Sequence, residues 1–192
     1  MVTLLVLFHF TKTFDSVCHT LLLHKLNSYS ASVMTWLESY LSSRVQRVRR
    51  SNSSFSSWAS VTAGVPQGSV LGSFLFAVFI NDLRHSLKHY SYILYADDLQ
   101  IYLHFSPHDR ESALRRIRED IAAIELWAAN NCLELNAGKT KALLLGSARY
   151  INGIHNVDIR INGSPITLVG QATNLGVVLI NNLSWSCQDH IQ

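Results

Sequence analysis

Leu99, Ile101, Leu103 and Phe105 alternate with Gln100, Tyr102 and His104, the period of two that marks a half-buried strand. An apolar, β-rich run over residues 92–96 precedes it, and only Asp97-Asp98 stands at the junction. The pattern predicts a strand–turn–strand hairpin with two adjacent carboxylates at its tip. A further strand is expected over residues 3–10, closed by the polar turn Thr11-Lys12-Thr13. Helical spacing follows over 16–27 (Val17, Leu21, Leu22, Leu26) and 31–42 (Val33, Met34, Leu37, Leu41). A basic strand is expected over 44–50, a serine-rich turn over 51–57, and another strand near 58–62. The segment Gly64 to Gly72 then opens a helix that runs to about Leu87.

Beyond the hairpin, Ser106 reads as an N-cap, with Pro107 at N1 and Asp109 at N3. The helix it opens runs to about Asn130 and carries Leu114, Ile117, Ile121 and Ile124 on one stripe. Glu111–Arg115 and Arg116–Asp120 have the spacing of charge pairs on its outer side. A Gly138-Lys139-Thr140 turn leads into a leucine-rich strand ending at Gly146. Asn162-Gly163 signals a two-residue hairpin, residues 174–180 a strand, and Ser184 the cap of another helix. Strands separated by helices, with antiparallel hairpins added, predict an α+β layer of helices against one sheet. The carboxylate hairpin would lie on the open face.

Length and composition narrow the class without naming it. The chain has 192 residues, enough for one domain with a real core, and 48% of them are apolar, which excludes a disordered segment. A formal charge of +3 permits a polyanionic partner but does not demand one. Cys18, Cys132 and Cys187 have no metal-like spacing and an odd count, as in a reduced, intracellular protein. The apolar opening run lacks a basic leader and a cleavage site, so no signal peptide is expected. It is also too short to span a bilayer, and no membrane association is expected.

The candidate chemistry begins with Asp97 and Asp98, two like charges in one small volume, which a divalent cation would relieve. Taken alone, a plain β-turn explains them as well. Gly64, Pro66, Gly68 and Gly72 bracket Gln67 at a helix entrance, where glycines permit close backbone approach and free N–H groups favour phosphate. A tight strand-to-helix connection fits those glycines equally but leaves Gln67 unexplained. Lys139 is not part of a P-loop, because Leu133 stands where the upstream glycine belongs. Phe14, Phe74, Phe76, Phe79 and Trp127 have core packing as their default role. The basic run Arg44, Arg47, Arg49 and Arg50 reads as a solvated face before it reads as a phosphate track. His85–His89 and His104–His108 do not complete a zinc pattern.

Taken together, these pieces resemble the reverse transcriptases of non-long-terminal-repeat (LINE-type) retrotransposons. The matches run in family order: Phe14-Asp15-Ser16-Val17, Gly64-Val65-Pro66-Gln67-Gly68-Ser69-Val70-Leu71-Gly72, Ile80-Asn81-Asp82-Leu83, Tyr95-Ala96-Asp97-Asp98, Leu135-Asn136-Ala137-Gly138-Lys139-Thr140 and Asn174-Leu175-Gly176-Val177. The resemblance implies a polymerase palm fold over residues 1–182, an antiparallel four-stranded sheet backed by helices, without the fingers region. Residues 183–192 would begin a thumb helix. It also implies RNA-directed DNA polymerase chemistry, with an RNA template, a DNA primer and a deoxynucleoside triphosphate (dNTP). Two Mg²⁺ ions about 4 Å apart would serve in-line nucleotidyl transfer. Asp97 and Asp98 would be the catalytic, metal-binding carboxylates. Phe14, Gln67, Gly68 and Lys139 would line the nucleotide site, and Leu175 and Gly176 the primer grip.

The family pattern over the first strand is Asp-x-x-x-x-Phe-Asp, and the residue five before Phe14 is His9. A neutral imidazole has one lone pair and cannot bridge two Mg²⁺ ions as a carboxylate does. Asp15 could replace the missing acid but is expected instead to cap the helix beginning at Ser16. Ser73 stands for a proline after Gly72, and Cys18 for an acid before His19. The sequence therefore implies a reverse transcriptase fragment that is inactive in this copy. The alternative is a non-catalytic palm remnant with weak nucleic-acid or metal binding.

Overall fold

The structure is a computed structural model that describes residues 1–51, 54–154 and 157–182. The helix expected from Ser184, and the expected thumb start at 183–192, lie outside the described residues. In chain order the main elements are β1 (Val2–Leu7), α1 (His19–Lys25), α2 (Ala31–Leu41), α3 (Val70–Ile80), β2 (Ser91–Tyr95), β3 (Asp98–Phe105), α4 (Arg110–Asn130), β4 (Lys141–Leu145), β5 (Thr167–Leu168), β6 (Gln171–Asn174) and β7 (Val177–Ile180). They divide into two compact units. One comprises Met1–Thr11, Leu83–Ala128 and the chain from Glu134 onward; the other comprises Lys12–Asp82 and Ala129–Leu133.

The first unit is built on a five-stranded sheet in the order β5-β4-β1-β3-β2. Antiparallel ladders join β4, β1, β3 and β2, and the short β5 adds in parallel to β4. The antiparallel core of the sheet is the four strands that the family resemblance implies, and β5 is an addition. β1 is apolar at nearly every position because it is central and covered on both faces. Leu4 and Val6 are each 0% exposed on one face, and the buried stripe of α4 (Leu114, Ile117, Ile121, Ile124) supplies a helical layer. On the other face Leu5 and Leu143 pack with Ala172 and Leu179 of the β6–β7 hairpin.

Several local expectations change. The opening strand ends at Leu7 rather than at residue 10. Phe8 and His9 leave the ladder, and Phe10 pairs with Leu135 in a separate short sheet. Residues 174–180 are not one strand, because Leu175-Gly176 turns the chain between β6 and β7. The Asn162-Gly163 hairpin forms as expected, pairing Ile161 with Ser164.

The α4 charge pairs do not form among the described residues. Glu111 pairs with Arg110 instead. Asp120 is only 1% exposed and accepts the backbone N–H groups of Lys88 (3.0 Å) and His89 (3.1 Å). Beside it the Tyr90 hydroxyl donates to the Ala113 carbonyl at 3.0 Å. Burial, and then the charge of Asp120, raise that phenol above its ordinary range. Asp120 thus fastens the segment that enters the carboxylate hairpin.

In the second unit α1 packs on both α2 and α3. Leu75, Phe76, Phe79 and Ile80 of α3 are buried, whereas Phe74 is 50% exposed and is not the core residue expected. The α1 helix starts at His19 with Cys18 at its N-cap, and Asp15 lies in a preceding 3₁₀ turn. Asp15 therefore does not cap that helix. The basic strand expected at 44–50 becomes half of an antiparallel ribbon, Val45–Gln46 with Ala59–Ser60 and Arg49–Ser51 with Ser54–Phe55. No helix among the described residues is long and apolar enough to cross a membrane.

Replacing Asp120 with alanine should leave the Lys88 and His89 N–H groups without their carboxylate acceptor, at a cost of about 1–3 kcal/mol in urea unfolding. Asp120→Asn should lose less, because one acceptor remains. A surface ion pair would cost under about 1 kcal/mol in either variant.

Candidate active site

The site in the first unit follows from the way β1 ends. The β1–β3 register pairs Val6 with Ile101 and Leu7 with Gln100, and the Phe8 N–H continues it by donating to the Leu99 carbonyl at 2.8 Å. Just beyond the end of that ladder, His9 and Asp98 line the same groove. On the other side β1 pairs Leu7 with Lys141. There the His9 N–H donates to Thr140 Oγ1 at 3.2 Å, and the His9 carbonyl accepts the Asn136 N–H at 2.8 Å. The Thr140 hydroxyl, fully buried, donates to the Asn136 carbonyl at 2.8 Å and closes the turn that carries Lys139.

The carboxylate tip is a two-residue loop, with Tyr95 paired to Asp98. Ala96 takes a left-handed φ of 51° without being glycine, a conformation that costs roughly 1–2 kcal/mol. Asp98 is exposed and Asp97 half-buried. Partial burial, then the charge of Asp97, push the Asp98 carboxyl above its ordinary range, and His9 opposes that shift.

A groove of about 350 Å³ opens here, lined by His9, Asp98, Gln100, Lys139, Asn174, Leu175 and Gly176 among others. The structure thus brings together His9, Asp98, Lys139 and the tip of the β6–β7 hairpin. Asp97 adjoins the groove through Asp98 but does not line it. Leu175 and Gly176 both adopt left-handed φ values, 46° and 81°, as a tight two-residue turn requires.

Two lining residues received no role in the sequence reading, although Asn174 opens the Asn174-Leu175-Gly176-Val177 match. Gln100 is 4% exposed, and its amide exchanges two hydrogen bonds with Asn174. Gln100 Nε2 donates to Asn174 Oδ1 at 2.9 Å, and Asn174 Nδ2 donates to Gln100 Oε1 at 3.0 Å. The pair ties the strand of Asp98 to the hairpin of Leu175-Gly176. Its one sequence trace is that the polar side of the β3 alternation opens on an amide.

Phe14, Gln67 and Gly68 belong to the second unit. Phe14 stacks on Phe76 with ring centroids 4.3 Å apart, and its carbonyl accepts the Val65 N–H at 2.8 Å. That bond holds the Phe14 turn against the loop of Gln67 and Gly68, both exposed. A Cβ on Gly64 would lie 2.8 Å from the Asp15 carbonyl oxygen, and one on Gly72 would run into the Pro66 carbonyl. Those two glycines serve the tight connection. Gly68, at φ 78°, faces open space. Ser69 caps α3 by accepting the Gly72 N–H at 2.9 Å, so that donor is already taken.

The donor set does not fit two Mg²⁺ ions. Among the described residues no cluster of three or more His, Cys, Asp or Glu side chains is arranged to hold a metal. His9 Nδ1 is buried and makes no hydrogen bond, which leaves a nitrogen where a hard dication needs oxygen.

The sequence profile described as "Reverse transcriptase (RNA-dependent DNA polymerase)" matches residues 1–179. The chain belongs to the reverse transcriptase family. It is 35% identical over 184 residues to a probable RNA-directed DNA polymerase from transposon BS of Drosophila melanogaster, covering 91% of this chain and 20% of that protein. It is 28% identical over 183 residues to the RNA-directed DNA polymerase from mobile element jockey of Drosophila funebris, covering 91% and 19%. The chain therefore spans about a fifth of the length of the curated relatives it matches. Among solved structures, apo telomerase of Candida tropicalis truncated from its C-terminal domain superposes with a TM-score of 0.62 at 12% identity, covering 94% of this chain and 34% of that one. Telomerase of the same organism in complex with a fragment of telomeric RNA gives 0.57 at 12% identity, covering 77% and 26%. These likenesses establish a palm-like α+β fold.

Two outcomes follow from this geometry. The raised Asp98 value means that the folded chain holds that proton to higher pH than the unfolded chain does. Stability is then full below the ordinary aspartate value of 3.8 and falls as pH rises through the folded one. Asp98→Asn should accordingly raise Tm at pH 7, with the gain closing as pH drops below 3.8. Gln100→Ala should cost about 1–3 kcal/mol by leaving Asn174 unpaired, whereas Gln100→Leu with Asn174→Leu should recover most of it. Chemical denaturation of the single and double variants measures that coupling.

Proposed function

We propose that this chain is the palm of an RNA-directed DNA polymerase whose catalytic centre is degraded and does not synthesise DNA. The observation that carries this reading is His9 lining the same groove as Asp98, with a buried, unpartnered Nδ1. The family pattern has a carboxylate at that position. Three carboxylates bring three negative charges to two dications, and His9 leaves two. A carboxylate there could bridge two ions, and an imidazole could not.

Within that reading Asp97 and Asp98 are the remaining catalytic carboxylates. Lys139 is the charge that faces a triphosphate, and Leu175-Gly176 is the contact to the primer. Phe14, Gln67 and Gly68 border the sugar and the template base. An RNA template, a DNA primer and a dNTP are the partners of the intact centre, and Mg²⁺ is its metal. A nucleic-acid substrate of this kind places the protein inside the cell. Residues 1–182 are the palm.

What this chain's own residues supply without the metal is orientation. The β1–β3 register aims the hairpin tip, and the Gln100–Asn174 amides hold the primer-side turn to it. Neither can neutralise a triphosphate.

Primer extension on an RNA template with Mg²⁺ or Mn²⁺ should show no incorporation by the wild type. Robust synthesis that disappears in Asp97→Ala would overturn the proposal. Restoring the carboxylate with His9→Asp should lower Tm in the absence of metal, through repulsion with Asp98. Stability should then become Mg²⁺-dependent, with about 1.4 kcal/mol recovered at ten times Kd. The wild type should gain far less.

A further inference from the structure

Among the described residues of the antiparallel ribbon, Val45 through Arg50, Ser54, Phe55 and Ser57 through Ser60 are all exposed. A two-stranded ribbon is marginal in water without a covered face, and this one keeps large aromatic side chains at its surface. Phe55 is 44% exposed and Trp58 60%. The Arg47 guanidinium lies over both rings, 3.9 Å from the Phe55 centroid and 4.5 Å from that of Trp58. At the base of the ribbon the motif recurs. Arg44 sits 5.3 Å from the Tyr40 centroid, and Tyr40 stacks on the 54%-exposed Trp36 at 5.6 Å and 15°.

Apart from Glu38 on the Trp36–Tyr40 helix, the charge on this surface is positive. From Ser39 to Asn81 the sequence contains Arg44, Arg47, Arg49 and Arg50 and no Asp or Glu. A merely solvated basic face carries interspersed acids and aliphatic stems, not exposed rings under guanidinium planes. Cations that attract a phosphate chain, interleaved with flat rings that accept unstacked bases, are the two components of a single-strand binding surface.

We propose that the Trp36–Tyr40 helix face and the 45–60 ribbon bind single-stranded nucleic acid, with bases stacking on Phe55 and Trp58 and phosphates on Arg47, Arg49 and Arg50. A duplex keeps its base faces inside its own stack and offers the rings nothing, so the surface selects unpaired strands. The inference deepens the nucleic-acid reading above but rests on residues outside the carboxylate groove. Strand capture and nucleotide incorporation are separate measurements, so either can fail alone.

Fluorescence anisotropy of the full chain with labelled single-stranded RNA, single-stranded DNA and duplex oligonucleotides tests it. Both single strands should bind at least roughly tenfold more tightly than duplex, and their ratio shows whether the natural strand is RNA or DNA. Trp58→Ala and Arg47→Gln should each weaken single-strand binding by roughly tenfold or more. Arg50→Gln touches neither ring and leaves the ribbon intact even where Trp58→Ala melts it. It should reduce the slope of log affinity against log salt by about 0.7. Duplex bound as tightly as single strands, an unchanged salt slope in Arg50→Gln, or equal binding to phosphatidylserine vesicles would overturn the proposal.

Discussion

The pairing register of β1 with β3 is the constraint on which the groove depends. It is enforced by burial on both faces of the central strand. Leu4 and Val6 are sealed on one side, and Leu5 packs with Leu143 and Ala172 on the other. Slipping the register by one residue would exchange the two faces and send every apolar side chain to the wrong layer. The same lock, carried past Leu7 by the Phe8–Leu99 hydrogen bond, determines which side chain meets Asp98. The position of the site is thus a by-product of core packing, and its chemistry is decided by the one residue placed there. That residue is His9.

The parts of this arrangement legible in the sequence are those whose signal is local. The hairpin from Ser91 to Phe105 announces itself through period-two alternation and a pair of acids at the turn. The parts that were not legible depend on partners far along the chain. Gln100 looks like a solvent-facing residue because its neighbours alternate, yet Asn174 of the β6–β7 hairpin covers it from 74 positions away. Asp120 sits four residues after Arg116, a surface spacing, but turns inward to accept the N–H groups of Lys88 and His89. Phe8 and Phe10 continue the hydrophobicity of β1, so composition could not show that the ladder changes partner between them. What changes there is the hydrogen-bond acceptor, which no apolar pattern encodes.

The glycine-rich segment shows how one motif divides into separate physical tasks. Gly64 and Gly72 exist for backbone contact, since a Cβ on either would strike the Asp15 or Pro66 main chain. Gly68 meets nothing, so its value lies in its left-handed φ and in the openness it leaves beside Gln67. Ser69 has already claimed the Gly72 N–H, which leaves α3 with fewer free donors than a bare helix start offers an anion. Packing and ligand approach, two explanations that compete at the level of sequence, are both correct at different glycines.

A carboxylate cluster that loses its metal should ordinarily burden the fold, because like charges in one volume repel. On the proposed reading, the loss of catalysis and the survival of the fold have a common cause. With an acid at position 9, the tip would hold three carboxylates around one groove and would need a dication to be stable. With His9 it holds two, and any positive charge on the imidazole opposes the upward shift that burial and Asp97 impose on Asp98. The strained Ala96 turn is carried on the β2–β3 ladder. On that reading, a substitution that removes the metal bridge would also remove the fold's need for a metal. The palm architecture can outlast its chemistry for that reason.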